Sequence, residues 1–193
     1  MVNSVFPEVS TLRSFMAAHF ISRGFQTSLR SKDNAAWVEG CLRANYCPTF
    51  YTNTFLAYQV LNEQERPNAF FDLSMVVLHQ QQVIAVFPMN LHFSGDESRG
   101  ELYVLPPLIV ANVPPRICKE LLISCATLID LCQERFPIVQ IRSEEMFMGN
   151  LASHFSDWHL NLMKRGHSIS VQHDLLVDLT IPESEYWKNI RSS

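Results

Sequence analysis

The sequence predicts a mixed α/β fold, in which a mixed sheet carries helices packed on its faces. Apolar residues in the first third recur at helical spacing, and from about residue 70 the pattern changes to short apolar runs separated by polar turns. A long amphipathic segment then leads into further strand and helix patterns. Elements of this kind, each with one apolar face, are buried by packing helices against a sheet.

Three helices are predicted before the first strand. The first spans residues 10–23, with Ser10 or Thr11 as its cap and Gly24 as its stop, because glycine adopts the left-handed conformation without penalty. The second covers residues 33–44. The third covers residues 51–61, where the pattern is rich in aromatic side chains.

Strands dominate the middle of the chain. The runs FFDLSMVVLH and VIAVFPMNLHF, joined by the polar QQQ, predict a hairpin, and ELYVLPPLIV predicts a third strand. Pro106 and Pro107 lie inside that third strand. Because proline has no N–H to donate to a ladder, they indicate a break, a bulge or an edge there.

The segment PPRICKELLISCATLIDLCQERF is the clearest element, an amphipathic helix of about five turns. It is followed by a short strand, IVQIRS, and by a helix from about residue 150 to 165, which Gly166 closes. The long strand HSISVQHDLLVDLT comes last. No internal repeat and no Pro/Gly/Ser-rich linker interrupts the chain, which predicts one domain.

Composition narrows the functional classes. The 193 residues, 47% of them hydrophobic and 18% charged, suffice for one core, or for one domain with a short appendage. A formal net charge of -4 argues against a nucleic-acid partner. No signal peptide and no membrane span is predicted, and five cysteines without an export signal predict reduced thiols in the cytoplasm.

Metal chemistry is not predicted. The cysteines at 118, 125 and 132 share one helix face but lie about 10 Å apart, too far for one metal ion or one disulfide. They are expected in the core. Cys41 and Cys47 have no second pair at metal-ligand spacing, and neither HExxH nor HxxxH occurs. Any histidine can act as a general base in three dimensions, and the sequence does not choose one.

Two groups of residues keep both a functional and a structural interpretation. Glu144 and Glu145 follow the IVQIRS strand, at the kind of strand end where open sheets bind ligands, or they lie in a solvated loop. An aromatic cluster either lines a pocket or packs a helix against the sheet; its members are Tyr46, Phe50, Tyr51, Phe55 and Tyr58.

The order of a strand meander, helix, strand, helix and strand resembles the fold of GNAT acyltransferases. The C-terminal segment DLLVDLTIPESEYWKNIRSS is similar to the part of FemAB-like acyltransferases in which a strand runs into a helix with a Trp and then an Arg. The residues that carry this likeness are Val177, Asp178, Leu179, Thr180, Trp187 and Arg191. The resemblance implies one GNAT-like lobe, residues 1–180. Residues 181–193 would begin a bridging helix to a second lobe, or fold back through Trp187 and Ile190.

One stretch departs from the family pattern. In catalytic GNAT lobes a Gly-rich loop before a helix holds the pyrophosphate of acyl-CoA with its backbone N–H groups, at the positive end of the helix dipole. The corresponding stretch here, ANVPPRICKE, has no glycine, and Pro114 and Pro115 remove two donors. Arg116 supplies charge there but not the cradle.

The resemblance implies acyl or aminoacyl transfer to an amine of an amino sugar or cell-envelope precursor, with this lobe not catalytic alone. Acetyl-CoA or another acyl donor would be the cofactor, and a second GNAT-like lobe or a further copy of the chain would be the partner. The residues singled out are Glu101 and Tyr103 for catalysis and Arg116 for the donor. The alternative is a non-catalytic binding or scaffold domain with a degenerate GNAT-like fold.

Overall fold

The computed structural model describes residues 7–64, 69–93, 100–144 and 156–168. These residues form five α-helices and two four-stranded sheets. The mixed α/β fold predicted from the sequence is confirmed. The helix predicted over 181–193 and the last strand, apart from its first two residues, lie outside the described residues.

Helices lead the chain and later alternate with strands. The α-helices are α1 (Pro7–Ser22), α2 (Asn34–Arg43), α3 (Asn53–Gln64), α4 (Pro115–Arg135) and α5 (Asp157–Lys164), and a short 3-10 helix, Thr49–Tyr51, precedes α3. The five helices predicted between residues 10 and 165 are found. Helix α1 begins at Pro7, so Ser10 and Thr11 lie inside it and the cap predicted at one of them is wrong. Helix α5 begins later than expected, where the Ser156 hydroxyl accepts a hydrogen bond from the His159 N–H. Residues 150–155, the start of the predicted helix, lie outside the described ranges.

Eight strands are short. They are β1 (Gln26–Leu29), β2 (Ala69–Asp72), β3 (Met75–His79), β4 (Gln82–Phe87), β5 (Met89–Phe93), β6 (Gly100–Val104), β7 (Leu108–Ile109) and β8 (Ile138–Ser143). Strand β1 was not predicted, because QTSL is only four residues long and has a single strongly apolar side chain. Its place is set by antiparallel pairing with β3.

Each of the three segments predicted as a strand contributes one strand to each of the two sheets. One has the order β1-β3-β4-β7 and the other β2-β5-β6-β8, and of these neighbours only β6 and β8 pair in parallel. Each of the three predicted strands is therefore divided: at Leu73-Ser74, at Pro88, and at residues 105–107. The Ser74 hydroxyl spans the second break through the Met89 N–H (3.2 Å) and carbonyl (3.4 Å). Pro88 has no N–H with which to continue its ladder.

Helices cover both faces of the first sheet. Helices α1 and α4 pack on one face, where a large apolar cluster includes Met75, Val77 and Phe87. Helix α2 packs on the other face through Trp37, which contacts Val76 and Val86 within a second cluster. Gly40 permits this approach, because a Cβ there would lie 2.6 Å from a methyl carbon of Val86.

Helix α4 presents its apolar face to the larger core. Leu121, Cys125, Leu128, Ile129 and Cys132 are fully buried along that face. The core position expected for the cysteines is confirmed for Cys125 and Cys132, while Cys118 in the first turn is only partly buried. Among the helices of the described residues, none is long and apolar enough to cross a membrane.

Candidate functional site

A cleft opens where the parallel strands β6 and β8 end. The two strands stay paired up to Val104 and Ser143, and the Glu144 N–H donates to the Val104 carbonyl at 3.3 Å. Beyond this point β6 is broken by Leu105-Pro106-Pro107 before β7 begins. Carboxyl ends of parallel strands are the usual place for a ligand in sheets with helices on their faces.

This strand-end cleft has a volume of about 250 Å³. The described residues that line it are Tyr46, Pro48, Phe50, Tyr51, Leu105, Pro106, Pro107, Leu108, Ile109 and Glu144. Of the two interpretations of the aromatic cluster, pocket lining therefore holds for Tyr46, Phe50 and Tyr51. Phe55 and Tyr58 continue the cluster along α3, with ring centroids 4.7 Å apart for Phe50 and Phe55.

Polar groups of the cleft wall are hydrogen-bonded to other groups of the protein. The Tyr51 hydroxyl donates to the Pro106 carbonyl at 2.7 Å, and the Leu105 N–H donates to the Pro88 carbonyl at 3.2 Å. Tyr51 is in turn held from behind, because the Trp37 indole N–H donates to the Tyr51 carbonyl at 2.8 Å. Since Pro106 has no N–H and its carbonyl already accepts from Tyr51, this wall offers a ligand little hydrogen bonding.

A polar strip continues from the cleft along β6. Side chains alternate along a strand, so Glu101 and Tyr103 lie on the same face as Leu105, which lines the cleft. Successive residues of a strand rise about 3.3 Å, which places Tyr103 about 7 Å and Glu101 about 13 Å from Leu105. The two catalytic candidates from the sequence are thus brought together next to the cleft.

Glu101 and Tyr103 form a hydrogen-bonded pair. The Tyr103 hydroxyl donates to Glu101 Oε2 at 2.8 Å, and the Arg142 guanidinium lies 3.5 Å from the same oxygen. Burial, then the hydrogen bond and charge of Glu101, raise the pKa of the Tyr103 phenol, and the charge of Glu144 acts in the same direction. The phenol therefore stays protonated at neutral pH, and it is a proton donor beside a proton acceptor.

His92 belongs to this strip, although the sequence did not single it out. The centroid of its ring lies 4.7 Å from that of Tyr103 and 4.8 Å from that of Phe70. The Arg142 guanidinium lies over the Tyr103 ring, 5.5 Å from its centroid. Cross-strand register brings them together: His92 is opposite Glu101, and Tyr103 is opposite Arg142. Strand register between β5 and β6 is the signal that selects His92 among seven histidines, and no local pattern contains it.

Arg116 occupies a different environment. Its side chain is 87% exposed at the start of α4 and pairs with Glu120 at 3.0 Å, one turn along the same helix. Pro114 is the N-cap of α4 and Pro115 is its first residue, and no side chain of the described residues caps this end. The stretch ANVPPRICKE has no glycine, and Asn112 within it adopts a positive φ of 66°. The residues present do not form the donor-rich cradle that a pyrophosphate requires.

No group of three or more metal-ligating side chains occurs within the described residues. The five cysteines are free thiols. Burial raises the pKa of Cys132 to about 12, and burial with the neighbouring Cys47 raises that of Cys41 to about 12. These thiols are protonated at neutral pH, so they are poor nucleophiles.

No protein-family model matches this chain, and neither does any curated protein. Several solved structures resemble it. An aminoglycoside acetyltransferase from an uncultured soil metagenomic sample, in complex with sisomicin, has a TM-score of 0.46 at 11% identity, covering 82% of this chain and 99% of that one. Glucosamine-6-phosphate N-acetyltransferase from Arabidopsis thaliana has a TM-score of 0.43 at 10% identity, covering 80% and 99%.

A GNAT family acetyltransferase from Staphylococcus aureus has a TM-score of 0.41 at 12% identity, covering 79% of this chain and 99% of that one. These are similarities of overall shape.

Proposed function

We propose that this chain is the first, GNAT-like lobe of a FemAB-like acyltransferase. It would contribute to acyl or aminoacyl transfer to an amine of an amino sugar or cell-envelope precursor. The observation that carries the proposal is the junction between the strand-end cleft and the Glu101–Tyr103 pair. The cleft adjoins a strip that carries a proton acceptor and a proton donor, which already share a hydrogen bond.

The chemistry needs two proton transfers to or from the substrates and a third between the two side chains. The acceptor amine attacks the carbonyl carbon of an activated acyl group, forming a C–N bond, and the C–S or C–O bond to the leaving group breaks. Glu101 accepts the proton that the amine loses, and the Tyr103 hydroxyl protonates the departing sulfur or oxygen. Glu101 then returns its proton to Tyr103 across their 2.8 Å contact, which restores the pair.

The start of α4, where the resemblance would place the acyl donor, supports a lobe that does not act alone. Pro114 and Pro115 remove donors at the start of α4, and Arg116 pairs with Glu120. We therefore expect the grip on an acyl-CoA, or on another activated donor, to come from a second lobe or a second copy of the chain.

A second candidate function is a binding or scaffold domain with a degenerate GNAT-like fold. The same absence of a phosphate cradle favours it. The two candidates differ in whether they require the Glu101–Tyr103 pair. A transferase uses the pair for proton transfer, whereas a scaffold does not require it.

The test is transfer of a labelled acetyl group from acetyl-CoA to glucosamine, followed by mass spectrometry. The protein would be expressed from the whole reading frame that contains this chain. We expect acylated amine, with turnover reduced about 100-fold or more by Glu101→Gln. Product formation unchanged by Glu101→Gln and by Tyr103→Phe would contradict the roles given to this pair. No product, with no acyl-CoA binding in isothermal titration, would favour the scaffold.

A further inference from the structure

The size of the strand-end cleft limits what it holds. Its volume is about 250 Å³. An apolar cavity of about 150 Å³ accommodates benzene, with six heavy atoms, so this cleft suits a ligand part of about ten heavy atoms. An acetyl group, with three, would leave most of it unfilled.

The lining is largely apolar, and the wall offers no free N–H group to an amide-rich ligand. Nine of the ten described lining residues are aromatic, aliphatic or proline. An extended amide chain laid along Leu105-Pro106-Pro107 would find no free N–H, because the Leu105 N–H is bonded to Pro88 and the prolines have none. The Pro106 carbonyl already accepts from Tyr51. The carbonyl groups of an amide chain would find no N–H donor there, whereas a hydrocarbon or aromatic body needs none.

The charge at the cleft is negative. Glu144 is the only charged side chain among the described residues that line it, and Glu101 lies on the adjoining strip. Arg142 is the cation of this region, and it lies against Glu101 and the Tyr103 ring. A ligand with a cationic end is therefore favoured, and a carboxylate is repelled.

We infer that the strand-end cleft binds a primary amine with an apolar body of about ten heavy atoms, with its ammonium group at Glu144. The inference goes beyond the proposed function, because it concerns binding in the cleft at Glu144 and gives no role to Glu101, which does not line the cleft.

The experiment is an NMR shift titration of the isotope-labelled chain with three matched probes: 3-phenylpropylamine, 3-phenyl-1-propanol and 3-phenylpropionate. They share one body and differ in the charge of the end group. We expect all three shift changes to centre on the amides of Tyr51, Leu108 and Ile109. The amine should bind about threefold tighter than the alcohol and about tenfold tighter than the carboxylate.

Two variants locate the charge. Glu144→Gln keeps the shape of an exposed side chain and should bring the amine and the alcohol to equal affinity. Glu134→Gln is the matched control, because it removes an equally exposed carboxylate at the far end of α4 and should change nothing. Leu105→Trp, with folding checked by circular dichroism, should fill the cleft and abolish binding of all three probes.

The inference is overturned if the carboxylate binds as tightly as the amine, or if the shift changes fall outside the cleft. Its failure is distinguishable from failure of the proposed function. Acylation of glucosamine without amine binding in the cleft would remove only the inference. Binding of 3-phenylpropylamine as described, with no amine acylated, would leave the binding site and remove the transferase.

Discussion

Strand β6 has two faces with opposite properties. Leu102 and Val104 point inward and are 0% and 2% exposed, in the core shared with α1 and α4. Glu101 and Tyr103 point outward, and the Glu101 side chain is 31% exposed. Five residues therefore carry both packing and a candidate reaction site. The two roles are separated only by side-chain alternation, so substitutions one residue apart should affect different measurements.

The inner face should show the largest effect. Leu102→Ala removes a fully buried side chain and leaves a cavity that the close-packed core fills only partly. We expect a loss of about 2–5 kcal/mol in the free energy of unfolding, measured by denaturant titration. A loss below about 1 kcal/mol would mean that β6 does not pack as described.

Asp72, on β2, is opposite Asn90, which in turn is opposite Tyr103, so it lies on the same outer face of the sheet. Unlike Tyr103, it has a structural role. Arg30 donates to Asp72 Oδ2 from Nε (2.9 Å) and from its terminal nitrogen (2.5 Å), and the Ser74 N–H donates to Oδ1. Both side chains are less than 15% exposed. Asp72→Asn leaves the guanidinium without its charge partner, and we expect a loss of about 3 kcal/mol in unfolding. Glu39→Gln, in the exposed pair with Arg43, is the control and should cost under about 0.5 kcal/mol.

A substitution on the outer face, at Tyr103, should lower turnover but leave stability nearly unchanged, the reverse of Leu102→Ala. Tyr103→Phe removes one hydroxyl from a half-exposed ring, so stability should change by about 1 kcal/mol or less. Turnover in the acetyl-transfer assay should fall about 100-fold. If stability fell as far as in Leu102→Ala, the tyrosine would be a packing residue, and the contrast between the two faces would disappear.

His19 makes the inner layer sensitive to pH. It lies buried between α1 and α4, and its Nε2 is 3.0 Å from the Ser124 carbonyl. Burial lowers its pKa below 6.5, and the nearby Arg23 acts in the same direction. The unfolded chain then binds more protons, so this contribution to stability is full above about pH 6.5 and is lost as pH falls towards the folded pKa. Unfolding titrations of His19→Gln should show a weaker loss of stability than the parent between pH 7 and 5.

The smallest effect is expected at Arg116. Its exposed pair with Glu120 is worth about 0.3–0.5 kcal/mol, so Arg116→Ala should scarcely change unfolding. Titration with acetyl-CoA should be equally unaffected. A variant that lost acetyl-CoA binding would show that α4 holds the donor after all, and it would contradict the interpretation of Pro114 and Pro115.

Local patterns carried much of the prediction. Each of the helices, the break at Pro106-Pro107 and the buried face of α4 follow from periodicity and from the missing proline N–H. The strand breaks at Leu73-Ser74 and Pro88 were not predicted. The break at Pro88 has a local cause in the missing N–H of that proline. The break at Leu73-Ser74 depends on contacts of both residues with Met89, which local patterns do not specify.

The sequence by itself determined which residues alternate and which share a helix face, because both properties repeat over a few residues. Glu101 and Tyr103 could therefore be placed on one face. Tertiary structure alone decided that residues 46–51, 105–109 and Glu144 meet in one cleft, and that His92 stands opposite Glu101. Strand register and chain crossing join segments tens of residues apart, and their energies arise only when the whole sheet closes.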